Sequence, residues 1–345
     1  PNRVTFNELL DAAMGDRPEG AWSVVEKMQA CGLKPNHITC SILLKSVQPG
    51  AKSVNIERTM EVVDDMEDEM DDVLLSSVVE ACIRVGRADL LMPRLRRQKS
   101  SQKVQIRNAH TYGSIIRAYG FVRDLEGVWD TWREMRMRRI SPTSVTLGCM
   151  VEALVTNGDP DSGYDLIHEI QGEEKSRNVI NAVIYGTVLK GFSHQKKFGR
   201  VWAVYQEMLV EKMDFSIVTY NTLVDACARC GEVCRVPTLL EDMDRHNVEP
   251  NLITYSAILK GYCQDGKLDK AFELLESMRQ TTKFKPDEIM FNSLLDGCAR
   301  QGLWDRGISL LEEMEQVGIK PSNFTLSILV KLASRSKRLD AAFDL

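Results

Sequence analysis

The sequence is short of positive charge, of histidine and of long apolar runs. Its 44 Lys and Arg are outnumbered by 49 Asp and Glu, a formal net charge of −5. No general electrostatic pull therefore draws the chain toward phosphates, and any nucleic-acid surface has to be local. No uninterrupted apolar run approaches the roughly 18 residues of a membrane-spanning helix, so no membrane insertion is expected. Five histidines are present, and none opens an H-x-E that could pair with a P-C-x-x-C to make a zinc deaminase site. Nine cysteines, an odd number, argue for free thiols in a reducing compartment rather than a disulfide framework. Cys227, Cys230 and Cys234 have a spacing that suggests zinc, but no fourth ligand is adjacent, and Cys227 aligns with Cys82 and Cys298 as a buried helix position. No metal and no cofactor are expected.

What is present is an ordered composition, 43% apolar and 27% charged, and a period. The stretch GYCQDGKL, residues 261–268, imitates a phosphate-binding loop except that Leu268 stands where a magnesium-binding hydroxyl is required. Its neighbours explain it. VTYNTLVDACARCGEV (218–233), ITYSAILKGYCQDGKL (253–268) and IMFNSLLDGCARQGLW (289–304) are one pattern. Gly266 corresponds to Gly231 and Gly302 and ends a helix near its C-cap. Gly261 corresponds to Ala226 and Gly297 and permits close helix packing.

Extended both ways, the register restarts at Arg3, His37, Asp72, Ala109, Ser144, Ala182, Ile217, Leu252, Glu288 and Asn323, at intervals of 34 to 38 residues. Each interval holds two stretches with apolar residues at helical spacing, as in Ile253, Tyr255, Ile258, Leu259 and Tyr262, then Leu268, Ala271, Phe272, Leu275 and Met278. The junctions GLKPN, NVEPN, KFKPD and GIKPS place a proline where the second helix stops. A hairpin of this size cannot bury its own apolar face, so neighbours have to stack. The expected fold is all-α: a right-handed superhelical solenoid of helix-turn-helix repeats of about 35 residues, nine full repeats and a partial tenth, forming one domain over 1–345. Pro1-Asn2 reads as the tail of a preceding repeat and Leu345 falls within a second helix, so further repeats are expected beyond both ends. Pro93 and Pro237 should kink their second helices or delay the start, and Met135, Met208, Met243, Met278 and Met314 should be core.

VTYNTL at 218–223, GKLDKAFELLESM at 266–278 and KPD at 285–287 resemble the pentatricopeptide repeat family, of the plain class without editing extensions. The Trp, Leu-Gly and Tyr signature of the tetratricopeptide pattern is absent. The resemblance implies sequence-specific binding of single-stranded RNA in a mitochondrion or plastid, one base per repeat, each base read by the fifth residue of a repeat and the residue just before the next. The implied stacking row is the second residue: Val4, Ile38, Val73, His110, Val145, Val183, Val218, Ile253, Ile289 and Phe324, nine of the ten apolar. The implied base readers are Asn7 with Asn36, Ser41 with Asp71, Ser76 with Asn108, Asn221 with Asn251, Ser256 with Asp287, and Asn292 with Ser322. An Asp accepts only and suits guanine or uracil N–H, while an amide or hydroxyl can satisfy adenine or cytosine. Gly113, Gly148 and Gly186 lack a side chain at the main reader. The expected target is Y-G-A-N-N-N-Y-G-C, 5′ to 3′.

A second series stands at position nine: Asp11, Lys45, Glu80, Arg117, Glu152, Lys190, Asp225, Lys260, Asp296 and Lys331, alternating in sign throughout. Positions two, five and nine share one face of the first helix, so this ladder is expected to set repeat register, with Lys190 and Lys260 among the cations that can turn to RNA phosphates. Arg84, Arg229, Arg300 and Arg335 at position thirteen are further phosphate candidates; their competing role is to satisfy carbonyls at a helix C-terminus. EVVDDMEDEMDD (61–72) is strongly acidic and the second helices after it are Arg-rich, a solvated surface or a protein-docking patch. The expectation is a non-enzymatic RNA-binding protein. The alternative is a scaffold that holds proteins of an organellar complex.

Overall fold

The computed structural model describes residues 1–16, 20–47, 53–66, 71–101, 108–173, 177–281 and 284–338. Among them every regular element is helical. The chain divides into two compact units, Pro1–Ile180 and Asn181–Leu345. The acidic stretch at 61–72 lies partly, and the side chains of Arg96, Arg97 and Lys99 wholly, outside the described residues.

The first unit is five helical hairpins: α1 (Arg3–Asp16) and α2 (Ala21–Ala30), α3 (His37–Ser46) and α4 (Ser53–Asp64), α5 (Asp72–Val85) and α6 (Ala88–Ser101), α7 (Ala109–Phe121) and α8 (Leu125–Met137), α9 (Ser144–Thr156) and α10 (Pro160–Gln171). The second holds α11 (Ala182–His194) and α12 (Phe198–Val210), α13 (Ile217–Cys230) and α14 (Val236–Arg245), α15 (Leu252–Gln264) and α16 (Leu268–Thr281), α17 (Glu288–Gln301) and α18 (Trp304–Gln316), then α19 (Asn323–Arg335). The odd-numbered helices open at the residues where the sequence period restarts. Within each unit every odd-numbered helix packs on the next odd-numbered one and on its own partner.

Among the described residues, left-handed backbone steps recur at two places in the repeat and make this possible. The fifteenth residue has positive φ at Gly86, Arg123, Gly158, Lys196, Gly231, Gly266, Gly302 and Lys337. There the helix stops and the chain reverses; an L side chain at such a step is strained, which is why five of these eight are glycine. The second step, after the even-numbered helices, falls at Gly32, Arg139, Lys212, Asn247 and Gly318.

The core lies between the helices of each hairpin and the next. Tyr112, Tyr185, Tyr205, Tyr220, Phe192 and Phe291 are wholly buried, and Met135, Met208, Met243, Met278 and Met314 share that core. Gly261 lies so close to α13 that a Cβ there would come 2.9 Å from both Ala228 Cβ and Val233 Cγ1. Pro93 lies inside α6. Pro237 sits in the first turn of α14, whose start is deferred by a 3-10 turn, Val233–Arg235.

Polar ties stitch neighbours together where the apolar core ends. Asn157 Nδ2 donates to Gly120 O at 2.9 Å, Gln301 Nε2 to Gly266 O at 2.9 Å and Ser336 Oγ to Gly302 O at 3.2 Å. On the even-numbered helices, Arg58 lies 4.2 Å over the Trp22 ring and pairs with Glu26, while Arg306 lies 4.2 Å over Phe272 and pairs with Asp269. Each such contact is exposed and contributes about 0–1 kcal/mol; their recurrence fixes register rather than supplying bulk stability. No helix among the described residues is long and apolar enough to cross a membrane.

Candidate nucleic-acid interface

Residues two, five and nine of each odd-numbered helix lie three and four apart, on one face. The second residue is an exposed apolar position that recurs along the chain. Val4, Ile38, Val73, Val145, Val183, Val218, Ile253, Ile289 and Phe324 are each 47–77% exposed, and His110 is exposed too. They pack against nothing that would take them out of water, and they recur once per hairpin.

The residue before each odd-numbered helix is its N-cap. Asn36, Asp71, Asn108, Thr143, Asn181, Ser216, Asn251, Asp287 and Ser322 each accept, through a side-chain oxygen, the backbone N–H three residues on, at 2.7–3.4 Å. This explains their composition: Asn, Asp, Ser and Thr are the residues that satisfy the orphan donors of a helix N-terminus. It also decides what each has left to offer. A capping Asp keeps one carboxylate oxygen, an acceptor. A capping Asn keeps its NH2, a pair of donors.

The fifth residue meets that cap. Asn7 Nδ2 lies 3.3 Å from Asn36 Oδ1, and Asn221 Nδ2 lies 3.3 Å from Asn251 Oδ1. Both pairs are closed by a buried threonine that sequence reasoning passed over, Thr39 and Thr254. The signal was legible as N-x-x-T, a capping box. Ser256 Oγ instead bonds back to Leu252 O at 2.8 Å. Ser41 and Ser76 are buried at the same position. Asn292 Nδ2 donates to Glu288 Oε1 at 3.2 Å, and its Oδ1 is buried without a partner. A Cβ at Gly148 or Gly186 would meet nothing within 4 Å, whereas one at Gly113 would touch Thr146 at 3.5 Å. Repeats five and six are thus vacant at position five, not filled by a neighbour.

The charged positions separate into two groups. Arg84 Nη1 donates to Lys45 O at 3.2 Å and Val47 O at 2.9 Å, and Arg335 Nη1 to Arg300 O at 3.2 Å, so both satisfy the C-terminal carbonyls of the preceding odd-numbered helix. Arg229 pairs with Asp225 at 2.5 Å and Arg300 with Asp296 at 2.7 Å, one turn back. Lys331 reaches Asp296 of the preceding repeat at 2.7 Å, a direct rung of the ladder. Partial burial pushes the Asp296 carboxyl up, but hydrogen bonds and charge from Lys331 and Arg300 outweigh it and hold the group below its ordinary value. Lys190 and Lys260 form no ion pair with the described residues and stand exposed on the same face as the apolar row. Lys45 and Arg117, at the same position, are likewise exposed and without an ion pair to the described residues.

Cys227 is buried, as are Cys82 and Cys298, and burial raises its thiol to about 12, so it is a core residue. No cluster of metal-ligating side chains occurs among the described residues.

Comparison with known proteins agrees with the helical-repeat fold. Sequence profiles described as PPR repeat match residues 246–279, 110–140 and 218–248; PPR repeat family, 180–229 and 286–335; and pentatricopeptide repeat domain, 1–48. A pentatricopeptide repeat-containing protein of Arabidopsis thaliana is 21% identical over 293 residues, covering 83% of this chain and 37% of its own length. A chloroplastic one from the same plant is 27% identical over 189 residues, covering 54% and 24%. The crystal structure of the pentatricopeptide repeat protein PPR10 from maize superposes with a TM-score of 0.58 at 17% identity, covering all of this chain and 53% of that one. PPR10 in complex with an 18-nt psaJ RNA element superposes with a TM-score of 0.53 at 16% identity, covering all of this chain and 55% of that one. This chain therefore spans about a third of the curated relatives it matches and about half of PPR10.

Proposed function

The chain belongs to the pentatricopeptide repeat family, and from that premise we propose that it binds single-stranded RNA in a sequence-specific manner, one base per repeat. It does so as a non-enzymatic, plain-class member working in a plastid or mitochondrion. By occupying a single-stranded tract it protects a transcript end, keeps the tract unstructured or guides processing or translation.

The observation that carries this reading is the exposed apolar side chain at the start of nine of the ten odd-numbered helices, with a polar pair one turn behind it in six repeats. A base needs a platform and an edge reader, and an aliphatic side chain left in water beside an amide or carboxylate is both. Exposed valines and isoleucines at a fixed repeat position gain nothing for the free protein. PPR10, captured with an RNA element, supports extending the idea to this chain, as do relatives designated chloroplastic or mitochondrial. Lys190 and Lys260 supply the phosphate contacts that the net charge does not.

The test is a titration of the purified chain with a YGANNNYGC oligoribonucleotide, its scramble and a duplex, repeated at two salt concentrations. Preference for the first establishes the reading. Equal weak binding to all three removes it and leaves the protein scaffold.

A further inference from the structure

We infer that the chain grips the backbone of its strand at every second phosphate: repeats with a cation at position nine hold a phosphate, and the repeats between them leave theirs to solvent. The inference rests on the RNA-binding reading above and deepens it by saying where along the strand the charge contacts are made.

Positions nine and thirteen lie one turn apart on the odd-numbered helix, so a strand crossing that face meets the two together. Where position nine is an acid, three of the five repeats carry arginine at thirteen: Arg84, Arg229 and Arg300. In each the guanidinium lies on that acid. Arg84 Nη2 is 4.0 Å from Glu80 Oε2, Arg229 Nε 2.5 Å from Asp225 Oδ2 and Arg300 Nε 2.7 Å from Asp296 Oδ2, which makes these repeats locally neutral. In the other two, position thirteen is Gly15 or Thr156, and Asp11 and Glu152 are exposed with no ion pair to the described residues. Those repeats are locally negative. No acid-bearing repeat offers a phosphate a net positive site.

Where position nine is a cation, the result reverses. Position thirteen is then Pro49, Phe121, His194, Gln264 or Arg335, never an acid. No carboxylate one turn on neutralises Lys45, Arg117, Lys190 or Lys260, and all four are exposed without an ion pair to the described residues. Lys331 stands apart, because Asp296 of the preceding repeat holds it at 2.7 Å.

The alternation of sign runs through each unit by itself, and within each unit consecutive odd-numbered helices are packed on one another. Packed helices lie roughly 8–10 Å apart, while the Debye length at physiological ionic strength is about 8 Å. A phosphate therefore feels the repeat it crosses more strongly than the next one, and the ladder does not average to zero along the strand.

The experiment takes CGAUUUCGC, one form of the expected target, places a single uncharged methylphosphonate at each internucleotide linkage in turn, and measures affinity of the intact chain at about 0.15 M salt. The penalties should alternate. Every second linkage should lose about two- to fivefold, the range one exposed ion pair supplies, and its log–log salt slope should fall by about 0.7; the linkages between should lose nothing. Lys260→Gln fixes the phase, since it should erase the penalty at one linkage and leave the rest. Asp225→Asn releases Arg229 and should create a penalty at a linkage that had none. Circular dichroism checks that both variants are folded, and the scan of the wild-type chain needs neither. Equal penalties at all linkages overturn the inference, as does a flat scan in a chain that still prefers this oligonucleotide to its scramble; the RNA reading stands in both cases. No binding, or no preference over the scramble, removes the RNA reading and the inference with it.

Discussion

Two glycines on helices of the same unit should respond to the same substitution with opposite signs. Gly186 is inside α11, and a Cβ built there meets nothing within 4 Å. Gly186→Ala therefore collects only the helix-propensity difference, about 1 kcal/mol in favour of alanine. Gly261 is inside α15, where the Cβ would lie 2.9 Å from Ala228 Cβ and Val233 Cγ1 and 3.2 Å from the Ala228 backbone. Backbone cannot swing aside, so α13 and α15 have to part by several tenths of an ångström. Overpacking of that kind costs about 1–3 kcal/mol. After the same propensity gain of about 1 kcal/mol, the net loss is of the order of 1 kcal/mol. In a unit of this size each kilocalorie moves the midpoint by about 2–4 °C. Thermal melts followed by circular dichroism should show Gly186→Ala above wild type and Gly261→Ala below it, by comparable amounts. If both rise, the helices separate freely and the close approach organises nothing. If Gly186→Ala falls, the reader position of repeat six is occupied, and the vacancy inferred there is wrong.

Lys196 holds a left-handed step that Gly231 and Gly266 hold without strain, so Lys196→Gly should raise the midpoint while Gly231→Ala lowers it by about 1 kcal/mol; equal responses would show that the step is not the constraint. Lys260→Gln should weaken RNA binding uniformly across sequences and flatten the salt dependence by about one phosphate contact, whereas Arg335→Gln, whose guanidinium is engaged with Arg300 O, should leave the slope alone and lower the melting midpoint. The depressed Asp296 carboxyl contributes stability that is full above its unfolded value near 4 and is lost as pH falls through the lower folded value. Lys331→Met should therefore shrink the difference in melting midpoint between pH 7 and pH 3; an unchanged difference would remove that ion pair from the account.

Much of this was legible because repetition averages out the noise of a single motif. GYCQDGKL read alone suggests a nucleotide site; read beside its neighbours it is a helix end, and the structure places Gly266 at the left-handed step the alignment implies. Apolar periodicity marks helices because one face of each is buried, and proline after the even-numbered helices marks where the backbone N–H is no longer needed. The candidate site was legible in part. The row at position two follows from register, whereas the pairing of positions five and last is what the family resemblance implies. The threonine hydroxyl that joins two of these pairs, Thr39 to Asn7 and Thr254 to Asn221, comes from more than thirty positions away and is visible only in the structure.

The amino-acid order thus settles where helices start and stop, which positions face one another along a helix, and which repeats carry no reader side chain, since these follow from local backbone preference and a fixed period. Packing alone decides that Arg84 and Arg335 cap a neighbour's carbonyls, that Gly261 is crowded and Gly186 is not, and that Thr39 and Thr254 each close an asparagine pair. Those outcomes turn on distances between residues far apart in the chain, and hydrogen-bond capacity, once used within the protein, is not available to a base.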